Sequence, residues 1–173
     1  IRHGEYRATA SENPFQIVHV VEGATGGNGS FERPFGSLDQ AMAVAQSGQI
    51  VYTPYGGSYR TTPMFVVPEG VSLLSNAPVQ FVQTEVGWIQ LPLSGASPDL
   101  AAAPEILGSV EMSSGSMLNG FRIVGTGDTL SEAGVVRMVG VSDVAVVNNQ
   151  IWSRQEGIWI EDAMNATVTD NTV

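Results

Sequence analysis

The last forty residues contain a pattern that occurs twice with a spacing of 22 residues. The aligned pairs are Val144 with Ala166, Val146 with Val168, Asn149 with Asn171, and Ile151 with Val173. Each copy follows a short apolar run that begins with a glycine, at Gly134 and Gly157. A fixed period of about 20 to 30 residues is typical of a solenoid, in which one turn cannot bury its apolar face alone and stacks on the next.

Each copy contains two short runs in which apolar and polar residues alternate, separated by Gly, Asn and Asp. This pattern indicates strands rather than helices. In Ile158-Trp159-Ile160, the two isoleucines share one face and Trp159 takes the other. Asn149 and Asn171 stand where the chain must turn, and stacked asparagines can share side-chain hydrogen bonds. A β-sandwich with two similar hairpins is the alternative interpretation.

A second block, between residues 23 and 59, combines a glycine-rich turn, a helix and a buried strand. Ser37-Leu-Asp-Gln40 reads as a capping box, and the following apolar spacing predicts a helix over Leu38–Gln46 that stops at Gly48. Ile50-Val-Tyr52 then predicts a buried strand. The glycines before the helix do not fit the Gly-x-Gly-x-x-Gly fingerprint of a dinucleotide site, and no Gly-Lys-Ser/Thr follows, so they predict a turn.

Together these residues resemble the right-handed parallel β-helix of the pectate-lyase-like superfamily. The turn at Gly27-Asn-Gly-Ser, followed by Pro34-Phe35 and by Ser37-Leu38, is similar to the entry module of many surface and secreted β-helix proteins. The resemblance implies an all-β solenoid whose N-terminal end is closed by the predicted helix as a cap. Residues Arg2–Arg7 are weakly similar to the junction between an outer-membrane barrel and a β-helical, autotransporter-like passenger.

The same interpretation divides the chain into two regions. Residues 1–13 are expected to form an N-terminal arm or linker, and residues 14–173 a parallel β-helix domain that is incomplete at its C-terminus. Residues 87–104, rich in Pro, Ser and Ala, predict an excursion from the wall. Met117–Val124 predicts a looser copy of the repeat at an offset of 28 residues, with the polar insert 126–132 accounting for the extra length. We expect the open last turn to be covered by self-association, a partner chain or further residues.

Charge and composition exclude several functions. The net charge is −10, with seven Arg and no Lys, so the surface repels phosphate backbones and nucleic acid is not an expected partner. No run of about 18 apolar residues occurs, so no membrane-spanning helix is predicted. The absence of Cys rules out disulfides. Only 14% of the residues are charged, which suits an extracellular or cell-surface β-protein.

Two functions remain open on this reading. The first is an extracellular or cell-surface module with a structural, adhesive or carbohydrate-binding role and no catalytic site. The second is a polysaccharide lyase or glycoside hydrolase, which would need acidic residues on adjacent turns. No carboxylate aligns with another between the two copies, so the catalytic residues are unknown and enzymatic activity is left undecided.

The candidate ligand-binding residues are Trp152, Trp159, Arg137 and Asp162. An outward tryptophan offers a flat apolar plate on which a sugar ring can stack, although packing against a lateral loop is the alternative. The candidate partner is a polysaccharide or a cell-surface ligand. No cofactor or metal site is predicted, and Ca²⁺ is the one ion left open. His19 is interpreted as a solvent-facing strand residue without a catalytic partner.

Overall fold

The computed structural model describes residues 7–8, 17–84, 87–125, 134–154 and 156–173. Within them the chain is mostly β, and its one α-helix accounts for about 3% of the residues. Two six-stranded sheets consist of parallel strands, and a smaller three-stranded sheet lies beside them. One of the two larger sheets is curled into a half-barrel.

The elements follow one another along the chain as short strands with a single helix among them. They are β1 (Arg7–Ala8), β2 (Ile17–His19), α1 (Leu38–Met42), β3 (Ile50–Thr53), β4 (Ser58–Val67), β5 (Ser72–Ser75), β6 (Phe81–Thr84), β7 (Gly87–Gln90), β8 (Glu105–Met112), β9 (Met117–Asn119), β10 (Arg122–Val124), β11 (Val136–Val139), β12 (Ala145–Val147), β13 (Gln150–Trp152), β14 (Ile158–Glu161) and β15 (Thr167–Thr169).

Sheet 1 is built around β8. Its order is β13-β10-β8-β11-β14, and β4 lies along the other edge of β8. The first half of β8 pairs with β10, from Glu105 to Leu107, and the second half pairs with β11. Gly108 stands between the two halves with a φ of 143°, a backbone conformation that suits glycine. The single strand β8 therefore fixes the positions of three others.

Sheet 2 has the order β15-β12-β9-β5-β3-β2, and all of its strands run parallel. Its outer side is covered by the small sheet β1-β6-β7 and the residues that follow it. Val82 and Leu91 pack on Ile50, Tyr52 and Leu74 of sheet 2. The hydroxyl of Tyr52 also donates to the carbonyl of Pro92 at 2.8 Å. This half of the molecule thus has an apolar contact on both sides of the sheet.

The main core lies between the two large sheets, because alternate side chains of each strand point inward. Along β8 the residues Ile106, Val110 and Met112 are buried while the intervening ones are partly exposed. Leu73, Leu118 and Val146 bury the facing side of sheet 2. These apolar residues are distant in sequence but form one cluster, because parallel strands that pair with each other must be joined by long connections.

The prediction of a right-handed parallel β-helix, or solenoid, is wrong. The structure has two mostly parallel sheets, one of them curled into a half-barrel. The 22-residue offset does give the register of the last pairs, including Val146 with Val168, and the 28-residue offset pairs Ile123 with Ile151. The spacing is not constant along sheet 2, however, whose paired residues are Ile17, Ile50, Ser72, Met117, Ala145 and Thr167. Two matching copies are too few to define a repeat architecture.

The predicted N-terminal capping helix is also wrong. The helix spans only Leu38–Met42 instead of reaching Gln46, and it packs at the side of the core against β4. Its start is as expected, because the Ser37 hydroxyl accepts from the amide of Gln40 at 3.3 Å. The Gln40 side chain reaches back to the amide of Gly36 at 3.1 Å. Only one short apolar face of α1 reaches the core. A helix of this length is not stable alone, so its stability depends on that packing.

Other regional predictions have mixed outcomes. Residues 87–104 do leave the large sheets, and β7 pairs antiparallel with β6 in the small sheet. Within the predicted arm, Arg7–Ala8 forms β1 and pairs with Phe81–Val82. The rest of that arm and the polar insert 126–132 lie outside the described residues. The division into an arm and a domain therefore stays a prediction.

The buried Asn149 side chain should contribute strongly to stability. Its Oδ1 accepts from the amide of Phe121 at 2.9 Å, and its Nδ2 donates to the carbonyls of Leu118 and Val147. Replacement Asn149→Ala removes all three contacts and leaves the buried Phe121 amide without this acceptor, so we expect a loss of about 1 to 3 kcal/mol in the free energy of unfolding, measured by urea denaturation. Asn165→Gly is the control, because Asn165 is exposed with a φ of 53° that glycine adopts freely. Equal stability of Asn149→Ala and the wild type would contradict the expectation.

Candidate functional site

The outer face of sheet 1 carries the chemistry of the candidate site. Since the side chains of a strand alternate, every second residue of β4, β8, β10, β11, β13 and β14 points away from the core. Parallel register lines up these outward residues in rows across the sheet. Three rows matter here, and each is named after one of its members: the Glu105 row, the Trp152 row and the Arg137 row.

The Glu105 row crosses four strands and is already linked by polar contacts. It consists of Ser58, Glu105, Arg122 and Gln150. The Ser58 hydroxyl donates to Glu105 Oε2 at 3.1 Å, and an Arg122 Nη2 lies 3.8 Å from Glu105 Oε1. Both charged side chains remain partly exposed, at 34% for Arg122 and 25% for Glu105. Their donors and acceptors are therefore held in place while still open to a ligand.

Glu22 adds a second carboxylate to this row from a turn far away in sequence. Its Oε2 accepts from the backbone amide of Ser58 at 2.9 Å. Gly57, which precedes Ser58, lies against the Glu22 side chain, and its carbonyl accepts from the amide of Glu105 at 2.7 Å. One serine thus connects two carboxylates.

The Trp152 row is the next one along the strands. It contains Arg60, Leu107, Val124 and Trp152. The Trp152 side chain is 61% exposed, while its neighbour Ile151 is buried, so the indole stands on the outer face. Trp152 is two residues beyond Gln150, which places it diagonally across from Arg122 at the spacing where large side chains interact. An exposed aromatic plate therefore borders the polar Glu105 row.

The Arg137 row lies across the second half of β8. It contains Val66, Glu111, Arg137 and Trp159. An Arg137 Nη1 lies 3.5 Å from the sulfur of Met64, and its Nε is buried without a hydrogen-bond partner among the described residues. The Trp159 indole donates to Glu161 Oε2 at 3.1 Å. The indole edge is thereby fixed, while the Arg137 guanidinium extends across β8 toward β4.

The structure brings together some of the predicted site residues but not all. Arg137 and Trp159 are direct cross-strand neighbours, and Trp152 stands on the same face of sheet 1. Asp162 follows β14 in a turn, with a φ of 49°, and no described contact joins it to either tryptophan. Its position corresponds to Gly140 one strand earlier, where φ is 63°, so its geometry is that of a turn residue.

Sequence reasoning missed the Glu105 row and Glu22. Ser58, Glu105 and Arg122 are separated by 47 and 17 positions, and these separations do not match the 22-residue spacing. The one available signal was the alternation of β8, whose outward residues include two glutamates. Nothing in the sequence marks the turn at Glu22, because its position depends on the pairing of β4 with β8.

Charge across the face is mixed. Glu22, Glu105 and Glu111 alternate with Arg60, Arg122 and Arg137 on or beside the three rows. Within the described ranges no group of three or more His, Asp and Glu side chains could hold a metal ion. In the same ranges no helix is long and apolar enough to cross a membrane. The Ca²⁺ left open by the sequence stays untested.

His19 is more enclosed than its sequence context indicated. Its ring packs edge-on against Phe31 and Tyr52, at centroid distances of 5.4 and 6.2 Å. Its Nδ1 is buried without a partner in the part of the chain that is described. Burial lowers the pKa of His19 below its ordinary value of 6.5, and carbonyls of Gly29 and Ile17 with the charge of Glu32 oppose this only in part.

Comparison with known proteins supplies no identity: the chain matches no family model, no curated protein and no solved structure. The resemblance to the pectate-lyase-like superfamily is therefore corrected, along with the autotransporter-like passenger that it suggested. The secreted and adhesive roles inferred from the solenoid lose their basis as well.

Acid should weaken the fold through His19. Because the pKa of His19 is lower in the folded state than in the unfolded state, the unfolded chain binds more protons as the pH falls. The contribution of neutral His19 to the free energy of unfolding is therefore complete above about pH 6.5 and is lost below it. We expect the free energy of unfolding to drop between pH 7.5 and pH 5, and to drop less in a His19→Phe variant, which keeps the aromatic contacts. Urea denaturation at both pH values measures this, and an equal drop in both proteins would refute it.

Proposed function

We propose that the protein binds a neutral carbohydrate chain on the outer face of sheet 1 without cleaving it. The observation that carries the proposal is the exposed Trp152 plate beside the hydrogen-bonded Glu105 row. Aromatic rings with an apolar face suit the C–H side of a sugar ring, and charged side chains suit its hydroxyls. Small-molecule sites commonly combine aromatic side chains with a few polar groups that fix the orientation of the ligand.

The Glu105 row supports this function because it is organised before any ligand arrives. Ser58 and Arg122 hold the Glu105 carboxylate from both sides. A ligand hydroxyl that donates to Glu105 and accepts from Arg122 finds both groups in position, which reduces the entropy lost on binding. The backbone of four paired strands carries these residues, so the geometry is more rigid than that of a loop.

A neutral ligand is favoured over an acidic one. The chain carries a net charge of −10, and a polyanion would be repelled before contact. The rows themselves alternate in sign, with Arg122 beside Glu105 and Arg137 beside Glu111. A ligand with many uncharged donors and acceptors can use both signs at once.

The Arg137 row offers a second contact region on the same face. Leu107 and Glu111 are four residues apart on β8, so the Trp152 row and the Arg137 row are separated by roughly 13 Å. Trp159, held by Glu161, lies in that second row. An oligosaccharide can reach both rows, whereas a single sugar ring cannot. An extracellular or cell-surface location, where such ligands are common, stays a prediction.

Loss of the exposed indole should abolish most of the binding. We expect Trp152→Ala to weaken binding of neutral oligosaccharides by roughly 5-fold to 150-fold, since stacking of a flat ring on an aromatic side chain contributes about 1 to 3 kcal/mol where nucleobases are bound. A glycan array of neutral and acidic chains would identify the ligand, and calorimetry would then compare the variants. Trp88→Ala is the matched control, because Trp88 lies on β7 in the small sheet away from this face. No binding to any neutral chain, or equal binding by Trp152→Ala, would contradict the proposal.

Glycoside hydrolysis is the second candidate, and one observation favours it. Hydrogen bonds of 2.9 and 3.1 Å join Glu22 and Glu105 to the same Ser58, so the two bonded carboxylate oxygens are at most roughly 10 Å apart. The pair is therefore close enough to allow the separations that sugar hydrolases use. One carboxyl group would protonate the leaving oxygen, and the other would activate the attacking water or attack the sugar itself.

The two candidate functions differ in a direct assay. If the site hydrolyses its ligand, reducing ends should accumulate with the wild type and fall at least about a hundredfold with Glu105→Gln and with Glu22→Gln. Glu111→Gln is the control, because Glu111 lies on the same face but outside this pair. If the site only binds, no variant releases reducing ends, and turnover that survives both substitutions would assign the chemistry elsewhere.

A further inference from the structure

A thioether and a guanidinium meet on the outer face of sheet 1, above the strand β8. Arg137 on β11 and Met64 on β4 lie on opposite sides of β8, so their backbones are roughly 10 Å apart. An Arg137 Nη1 nonetheless lies 3.5 Å from the Met64 sulfur. Ser109, which pairs with Met64 on β8, has a small side chain, so the two long side chains can meet above it. The contact therefore depends on the register of three strands.

The sulfur of Met64 is open to solvent. Its neighbour Phe65 is buried in the core, whereas the Met64 side chain on the opposite face of β4 is 42% exposed. The irregularity of β4 between Arg60 and Met64 sets this orientation. Met112 and Met138, by contrast, are buried, at 1% and 0% exposure. The Met64 thioether is thus within reach of small molecules from solvent, and it lies on the side of β8 away from the last strands β13 and β14.

The Arg137 guanidinium has no strong acceptor among the described residues. Its Nε is buried there without a hydrogen-bond partner, and no ion pair in the same ranges joins it to Glu111, its neighbour on β8. The acceptor described for this side chain is the Met64 sulfur, and a thioether is a weak acceptor. A stronger acceptor in the place of that sulfur would gain a charge-assisted hydrogen bond from the guanidinium.

A peroxide can create that acceptor by oxidising the sulfur. The sulfur attacks one peroxide oxygen, the O–O bond breaks, an S–O bond forms, and the second oxygen leaves as water. The sulfur loses the two electrons that the peroxide gains, and the product is methionine sulfoxide. Sulfoxide reductases reverse the step with electrons from thiols and release the oxygen as water. The thioether and the sulfoxide are therefore two interconvertible states of one side chain.

We infer that Met64 is a site of reversible oxidation at which the sulfoxide oxygen accepts a hydrogen bond from the Arg137 guanidinium. In the reduced protein a weak contact holds Arg137, so its guanidinium can turn toward other acceptors on the outer face. In the oxidised protein a charge-assisted hydrogen bond joins β11 to β4 across β8 and fixes the guanidinium. Oxidation of a methionine in a packed core disrupts the core, whereas oxidation of Met64 stabilises the fold.

The test compares oxidation and stability in one reference protein. The reference carries Met164→Leu, which removes the most exposed methionine of the described residues. It is treated with hydrogen peroxide, and peptide mapping by mass spectrometry measures the sulfoxide at each remaining methionine. Urea denaturation before and after treatment gives the equilibrium constant of unfolding. Met64→Leu, which lacks the sulfur, and Arg137→Leu, which lacks the guanidinium, are the matched variants in the same background.

We expect Met64 to be oxidised before Met112 and Met138. The equilibrium constant of unfolding of the reference should then fall roughly twofold to tenfold, the range that one net hydrogen bond produces. Reduction by methionine sulfoxide reductases should restore the original value. The treatment should leave Met64→Leu unchanged, and it should not stabilise Arg137→Leu, in which Met64 is still oxidised.

Four results would each overturn the inference. They are oxidation of the buried Met112 and Met138 before Met64, a reference that oxidation destabilises or leaves unchanged, an equal gain of stability in Met64→Leu, and an equal gain in Arg137→Leu. The last result would show that the sulfoxide acts without the guanidinium.

Discussion

The register of β8 is the constraint on which both the core and the outer face depend. Its eight residues alternate without a break between inward and outward positions. Ile106, Val110 and Met112 enter the core, while Glu105 and Glu111 reach the candidate site. A shift of one residue would bury two glutamates and expose three large apolar side chains. The same hydrophobic burial that stabilises the fold therefore also places the polar rows.

Parallel pairing explains why so much of the chain lies outside the strands. Neighbouring parallel strands cannot be joined by a tight hairpin, so every pair in sheets 1 and 2 is connected through a turn or a crossing to the other sheet. The polar groups at these turns must still be satisfied where they are buried. Asn149 does this with one side chain that contacts three neighbouring segments. Asn119, Gln80 and Ser75 form a similar buried chain of contacts beside the small sheet.

Local features were predictable from the sequence to the extent that they depend on neighbouring residues. The capping contact of Ser37 and the strand Glu105–Met112 both follow from short-range patterns. The pairing of Arg137 with Trp159 was also accessible, because two clear copies of one pattern define a single register. Global architecture was not accessible in this way, since a spacing seen twice does not determine how the preceding strands of unequal spacing are arranged.

Residues of the candidate site were harder to predict than the fold for a related reason. Glu22, Ser58, Glu105 and Arg122 belong to four separate segments, and only the finished sheet brings them together. None of them stands in a motif, and each looks like an ordinary surface residue in its own window. Trp152 was found because a large aromatic is conspicuous alone, whereas its polar neighbours become visible only through register.

The break in the middle of sheet 1 shows how the outer face gains two separate contact regions. Between Arg60 and Met64 the strand β4 contains two more residues than the opposing part of β8, which runs only from Leu107 to Ser109. Gly108 lies at this point with its positive φ, and β8 pairs with β10 before it and with β11 after it. Bulges of this kind re-aim side chains at functional sites. The Trp152 row and the Arg137 row are therefore distinct surfaces on one continuous backbone. A ligand that spans both rows must be long. A substitution in one row can alter recognition at that row without disturbing the core beneath the other row.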